Sequence, residues 1–214
     1  MNTVSFKKNL IKTKQTNFKK VFTKNKPIFL LALFLLLGIL LGTMLIKFAD
    51  KNLIKFVNTL FLSDFKERLT RPLLDVFISS VSASFVFILI AFFMGLSMWG
   101  FILAPAIPFV RGICIGLCES YLYSVYGLKG ICFHSLVFLP GIFISSLAVL
   151  LITKESIKIS NKFYSAIFSK EESNFEKVYI KKYTLQSGFI TVIILISSMI
   201  DLASSLLFSK FFTF

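Results

Sequence analysis

The chain is poor in charge, in acid most of all. Only 16% of its 214 residues are charged, with 10 Asp+Glu against 24 Lys+Arg, where a globular domain carries about 25% charged residues. A water-soluble single domain could not hide a chain that is 56% hydrophobic with a mean hydropathy of +0.83, and the same numbers exclude disorder. Histidine occurs once, as His134. There is no Gly-x-Ser-x-Gly elbow, no P-loop and no His-Glu-x-x-His, and Ser79, Ser80, Ser82 and Ser84 have no elbow that would make one a nucleophile. An enzyme is therefore not expected. The three cysteines fall in apolar stretches and imply no disulfide framework. Cys114, Cys118, Cys132 and His134 match no standard zinc spacing and read as packing residues, so neither metal nor cofactor is expected.

What is abundant is long apolar sequence, which predicts an all-α, polytopic membrane bundle. Residues 1–26 hold eight lysines and no acid and read as a basic cytoplasmic segment ahead of one transmembrane domain, 27–214. Ile28 to Ile46 is uncharged for 19 residues, close to the ~20 that cross a ~30 Å hydrocarbon layer. It exceeds the h-region of a cleavable signal and reads as an anchor that stays in the membrane. Val76 to Val110 is uncharged for 35 residues, about 52 Å as one helix and too long for one crossing. Gly100, Pro105 and Pro108 mark its break. Spans are expected at about 28–46, 76–99, 104–124, 131–153 and 184–208. Trp99 and the group Tyr121, Tyr123 and Tyr126 lie where aromatic belts should be. Residues 47–75 and 154–182 combine charge with apolar residues at helical spacing; 154–182 reads as an amphipathic segment at the membrane surface, and 47–75 as either such a segment or an ordinary extracytoplasmic loop helix.

The excess of cations belongs to this topology rather than to nucleic acid. With five spans and the N-terminus inside, the cytoplasmic segments hold 15 cations and the outer ones 8. A re-entrant hairpin over 101–125 would leave 10 inside and 13 outside. The positive-inside rule prefers the first arrangement, C-terminus outside. The partners implied by composition are membrane lipids, anionic ones included.

Several residues inside the spans invite a role. Gly38-x-x-x-Gly42 and Gly112-x-x-x-Gly116 allow close helix approach, read as packing within the bundle, with dimerisation through the first as the alternative. Arg111, Glu119, His134 and Asp201 each cost roughly 2.5–3.5 kcal/mol or less to insert, and each needs a partner or water. Glu119, His134 and Asp201 lie at similar depth on three helices, and are expected either to form one outer cluster or to snorkel separately.

The stretch Phe109-Val110-Arg111-Gly112-Ile113-Cys114-Ile115-Gly116, the turn Gly127-Leu128-Lys129-Gly130-Ile131, and Phe133 followed by Leu139-Pro140 together resemble the stage II sporulation protein M family. A basic residue joined to Gly, a Gly-x-x-Gly turn and a Pro soon after it carry the likeness, over about 55 residues by motif and most of the chain by architecture. Gly141 follows Pro140 where family members usually carry a polar residue. The resemblance implies a non-enzymatic protein of the bacterial cell membrane. It implies a scaffold that anchors the peptidoglycan-remodelling stage II sporulation proteins D and P for septal thinning and forespore engulfment. Partner contacts are expected in the outer loop 47–75 and around Glu119 to Lys129, with Arg111 and Gly112 serving bundle architecture. The alternative is a small transporter or permease-like subunit, for which Pro105, Pro108, Arg111, Glu119 and Asp201 would suit a substrate path. A transporter predicts a midplane cavity lined by Arg111 or Asp201. A scaffold predicts a packed bundle with an exposed apolar face.

Overall fold

The computed structural model describes residues 26–48, 73–168 and 177–208; the expected amphipathic segment at 47–75 lies largely outside them. Among the described residues there is no strand, and five helices are long and apolar enough to cross a membrane. Helix α1 spans Lys26–Lys47, with Pro27 in the first turn, where its missing N–H costs no helical bond. Helix α2, Leu73–Leu96, carries Asp75 in its first turn, complementing the helix dipole.

The uncharged run 76–110 breaks after Leu96. A short turn leads into α3, Gly100–Leu103, and Ala104 and Pro105 lead into α4, Ala106–Tyr126. Gly100 is required there: a Cβ on it would overlap the backbone carbonyl of Met94. Pro105 and Pro108 fall just before and within the first turn of α4, where helical N–H groups are unpartnered in any case. The predicted break is thus found where Gly and Pro placed it.

Helix α4 ends at Gly127, whose φ of +58° is a left-handed value that glycine adopts without strain. Helix α5, Leu128–Phe133, follows at once. Gly130 lets it press against α4, because a Cβ would strike the carbonyl of Leu122. A π-helical turn, His134–Phe138, then leads into α6, Leu139–Phe168. Pro140 accounts for the widening. It has no N–H for the Leu136 carbonyl and its ring crowds that carbonyl, while the Leu139 N–H reaches back five residues to His134. Helix α7 is Lys177–Phe208.

One boundary differs from expectation. The fourth apolar segment does not end near Thr153 with a separate amphipathic segment after it; α6 runs unbroken to Phe168. Loss of hydropathy ends a membrane crossing, but it does not end backbone hydrogen bonding. Nothing after Thr153 breaks a helix, and the extension finds packing partners. Ser160 Oγ accepts from the Phe101 N–H at 2.8 Å and donates to the Ser97 carbonyl at 2.7 Å, fastening the α2–α3 turn.

The core sits between α2, α4, α6 and α7, where Ile88, Ile107, Val149, Ile152, Ile190 and Ile194 are buried together. At the α2 end of this core Tyr183 stacks on Phe92, with centroids 5.2 Å apart. Its hydroxyl lies 2.9 Å from Ser156 Oγ and donates toward the Phe92 carbonyl at 3.2 Å. Gly95 leaves the space this hydroxyl fills.

Helix α1 stands outside the core and is held through glycine. A Cβ on Gly38 would overlap the carbonyl of Phe109, and one on Gly42 the carbonyl of Ile113. In return, Gly112 faces the Leu35 carbonyl and Gly116 the Ile39 carbonyl. The two Gly-x-x-x-Gly motifs therefore meet each other, backbone to backbone. Ser120 extends the seam by donating to the Thr43 carbonyl at 3.3 Å.

Candidate functional site

Three helices contribute polar or small residues at four-residue spacing: Ser80 and Ser84 on α2, Gly141 and Ser145 on α6, and Ser197 and Asp201 on α7. Residues four apart lie on one face, one turn apart, so these pairs form two polar levels in the bundle. At the first level Arg111 of α4 enters from the side. Its Nη2 donates to Ser84 at 3.4 Å and to Ser145, and its Nε donates to Ser146 at 3.4 Å. Its guanidinium lies over the Phe87 ring, 5.2 Å from the centroid. At the second level Asp201 accepts from Ser80 Oγ at 2.8 Å through Oδ2. Asp201 packs against Gly141, where a Cβ would meet the Asp201 side chain. Ser197 donates to the Gly141 carbonyl at 2.7 Å.

Between the levels lies a cavity of about 220 Å³ lined by both Arg111 and Asp201. Arg111 is 6% exposed and Asp201 5%, so two ionisable groups are buried in the wall of one cavity. The partners of Arg111 are three hydroxyls and a ring, none of them an acid. The cavity continues along α4 past Cys118 to Tyr121 and Leu122, about 16 Å of helix from Arg111. An arrangement of this kind holds a cation in place with neutral dipoles, in the wall of a cavity that a carboxylate also lines.

The other residues singled out from sequence are distributed around this centre. Glu119 is half-buried on α4 and lies within electrostatic reach of His134. His134 is buried in the π-helical turn, stacked near Phe138 with centroids 5.9 Å apart. Among the described residues its Nε2 has no hydrogen-bond partner. Asp201 sits in the cavity wall with Ser80 instead. Lys129 is exposed beside the Gly127 turn. Gly38, Gly42, Gly112 and Gly116 form the α1–α4 seam, and Gly130 and Pro140 shape α5 and the π-helical turn. Cys114 and Cys118 border the cavity; among the described residues no three His, Cys, Asp or Glu side chains come together as a metal site. Sequence reasoning missed Ser84, Ser145, Ser146 and Ser197 as partners. For Ser84, Ser145 and Ser197 the signal was present as a four-residue spacing from Ser80, Gly141 and Asp201 within apolar helices, and Ser146 adjoins Ser145.

The family model described as stage II sporulation protein M matches residues 30–201 of the chain. That interval contains the whole seam, Arg111, the π-helical turn and Asp201. No curated protein and no solved structure matches the chain.

Proposed function

Because the chain belongs to the stage II sporulation protein M family, we propose that it is a non-enzymatic scaffold of the bacterial cell membrane, with its N-terminus cytoplasmic and its C-terminus outside. In this reading it anchors peptidoglycan-remodelling partners of the kind of stage II sporulation proteins D and P. Its work is septal thinning and engulfment in a spore former. The family match over most of the chain carries the reading. The surface is in keeping with it: α1 is fastened along one narrow glycine seam and leaves Leu33, Leu36, Leu40 and Met44 exposed, an apolar face free for lipid or for another membrane helix. The charge bias of the segments supports the orientation.

Mild-detergent purification of the full chain from its own membranes tests the proposal, with co-purifying proteins identified by mass spectrometry. Cell-wall hydrolases or their membrane anchors are the expected companions. An intact bundle that brings none with it refutes the scaffold. Reporter fusions that place Met1 and Phe214 on the same face refute the orientation.

A second reading, a small transporter or permease-like subunit, is favoured by one observation, the cavity that both Arg111 and Asp201 line. Reconstituted vesicles distinguish the two, since a scaffold moves no solute that depends on Arg111.

A further inference from the structure

We propose that the cavity between Arg111 and Asp201 binds a small zwitterion, one end an anion and the other a primary ammonium. The inference goes beyond the scaffold and does not depend on it.

Three observations carry it. First, Arg111 is buried and cationic, and no acid is among its partners. Its Nε and Nη2 are occupied by serine hydroxyls, while Nη1 has no hydrogen-bond partner among the described residues. A guanidinium with donors to spare, beside a cavity, selects a carboxylate or phosphate. Second, Asp201 lines the same cavity. A carboxylate offers about four acceptor sites, of which the Ser80 hydroxyl occupies one. An ammonium is the cation that matches such a carboxylate, whereas a lone anion would be repelled by it.

Third, the spacing is built in. Arg111 is held at the level of Ser84 and Ser145, and Asp201 at the level of Ser80 and Gly141, one turn away on both α2 and α6. Ser80 and Ser84, one turn apart on α2, have Cβ atoms about 5–6 Å apart, which sets the scale of the offset between the two levels. A molecule whose two charges lie a few bonds apart spans that interval with a charge-assisted hydrogen bond at each end. The volume sets the size. About 220 Å³ is below the roughly 300–1,000 Å³ of drug-sized sites, and it suits a free amino acid or a phosphoethanolamine group. The first comes from water and the second is also a lipid headgroup. Both present the same chemistry to Arg111 and Asp201.

The experiment is calorimetric titration of the purified full chain in detergent with L-alanine, phosphoethanolamine, propionate and ethylamine. Thermal unfolding in nanodiscs of phosphatidylethanolamine or phosphatidylglycerol runs alongside. The zwitterions should bind saturably, with propionate and ethylamine weaker by about tenfold or more. Alanine binding with no lipid preference identifies a soluble ligand. Phosphoethanolamine binding together with stabilisation by phosphatidylethanolamine identifies a headgroup.

Two variants keep the test sound. Asp201→Asn retains an acceptor for Ser80 and should bring zwitterion affinity down to that of the plain anion. Ala83→Leu, at an exposed cavity-lining position, should abolish all binding while leaving the charges in place. The proposal is overturned if folded wild-type protein binds neither zwitterion and shows no lipid preference. It is equally overturned if propionate binds as tightly as alanine, or if Ala83→Leu binds like wild type.

Discussion

Replacing Gly112 by alanine puts one methyl group between two backbones. The new Cβ would overlap the Leu35 carbonyl oxygen and stand 3.0 Å from the Ile39 nitrogen and 3.1 Å from the Gly38 Cα. All three obstacles are backbone atoms, so no rotamer change relieves them. Helices α1 and α4 must part by about 1 Å, and a gap of 0.5–1 Å forfeits roughly a quarter to a half of the dispersion attraction between facing atoms. Overpacking of this type costs about 1–3 kcal/mol. At about 2 kcal/mol the midpoint should fall by roughly 4–8 °C for a chain of this length. Gly38→Ala should cost a similar amount, because its Cβ would meet the Phe109 carbonyl on the same seam. The double variant should cost less than the sum, since helices already parted by one methyl accept the second, and a coupling of at least about 0.5 kcal/mol is expected. Thermal unfolding of purified single and double variants, paired with a disulfide cross-link engineered between α1 and α4, measures both quantities. An unchanged midpoint and unchanged cross-linking in Gly112→Ala, or strict additivity in the pair, would show that the glycine seam does not hold α1.

Three further outcomes are expected. Ser160→Ala strips the Phe101 N–H and the Ser97 carbonyl of their side-chain partner and should lower stability by about 1–3 kcal/mol; amide exchange at Phe101 should rise with it. Gly95→Ala should destabilise through collision with the Tyr183 hydroxyl; Tyr183→Phe should lessen that penalty in the double variant, which a double-mutant cycle of unfolding midpoints reads directly. His134→Phe removes a buried nitrogen that has no hydrogen-bond partner among the described residues and keeps a ring to stack on Phe138. It should leave the midpoint unchanged or raise it, and a fall of several degrees would mean that the imidazole has a polar role in the bundle.

The distribution of charge and of Gly and Pro already determined how many segments are long and apolar enough to cross lipid and where the long run 76–110 breaks. A hydrocarbon layer has a fixed thickness, and unpaired backbone is intolerable within it. These constraints act segment by segment, so they are legible without knowing any neighbour. The family likeness was legible too, in Arg111-Gly112, the Gly127–Gly130 turn and Pro140. Periodicity names the face a residue occupies but never the helix opposite. Only the assembled bundle decided that Gly38 and Gly42 meet Gly112 and Gly116, and that α6 continues past Thr153 because Ser156 and Ser160 dock on the end of α2. The same holds for the cavity. Arg111 and Asp201 stand 90 positions apart in the chain, and they share one space because Ser80 and Ser84 hold them on successive turns of a third helix.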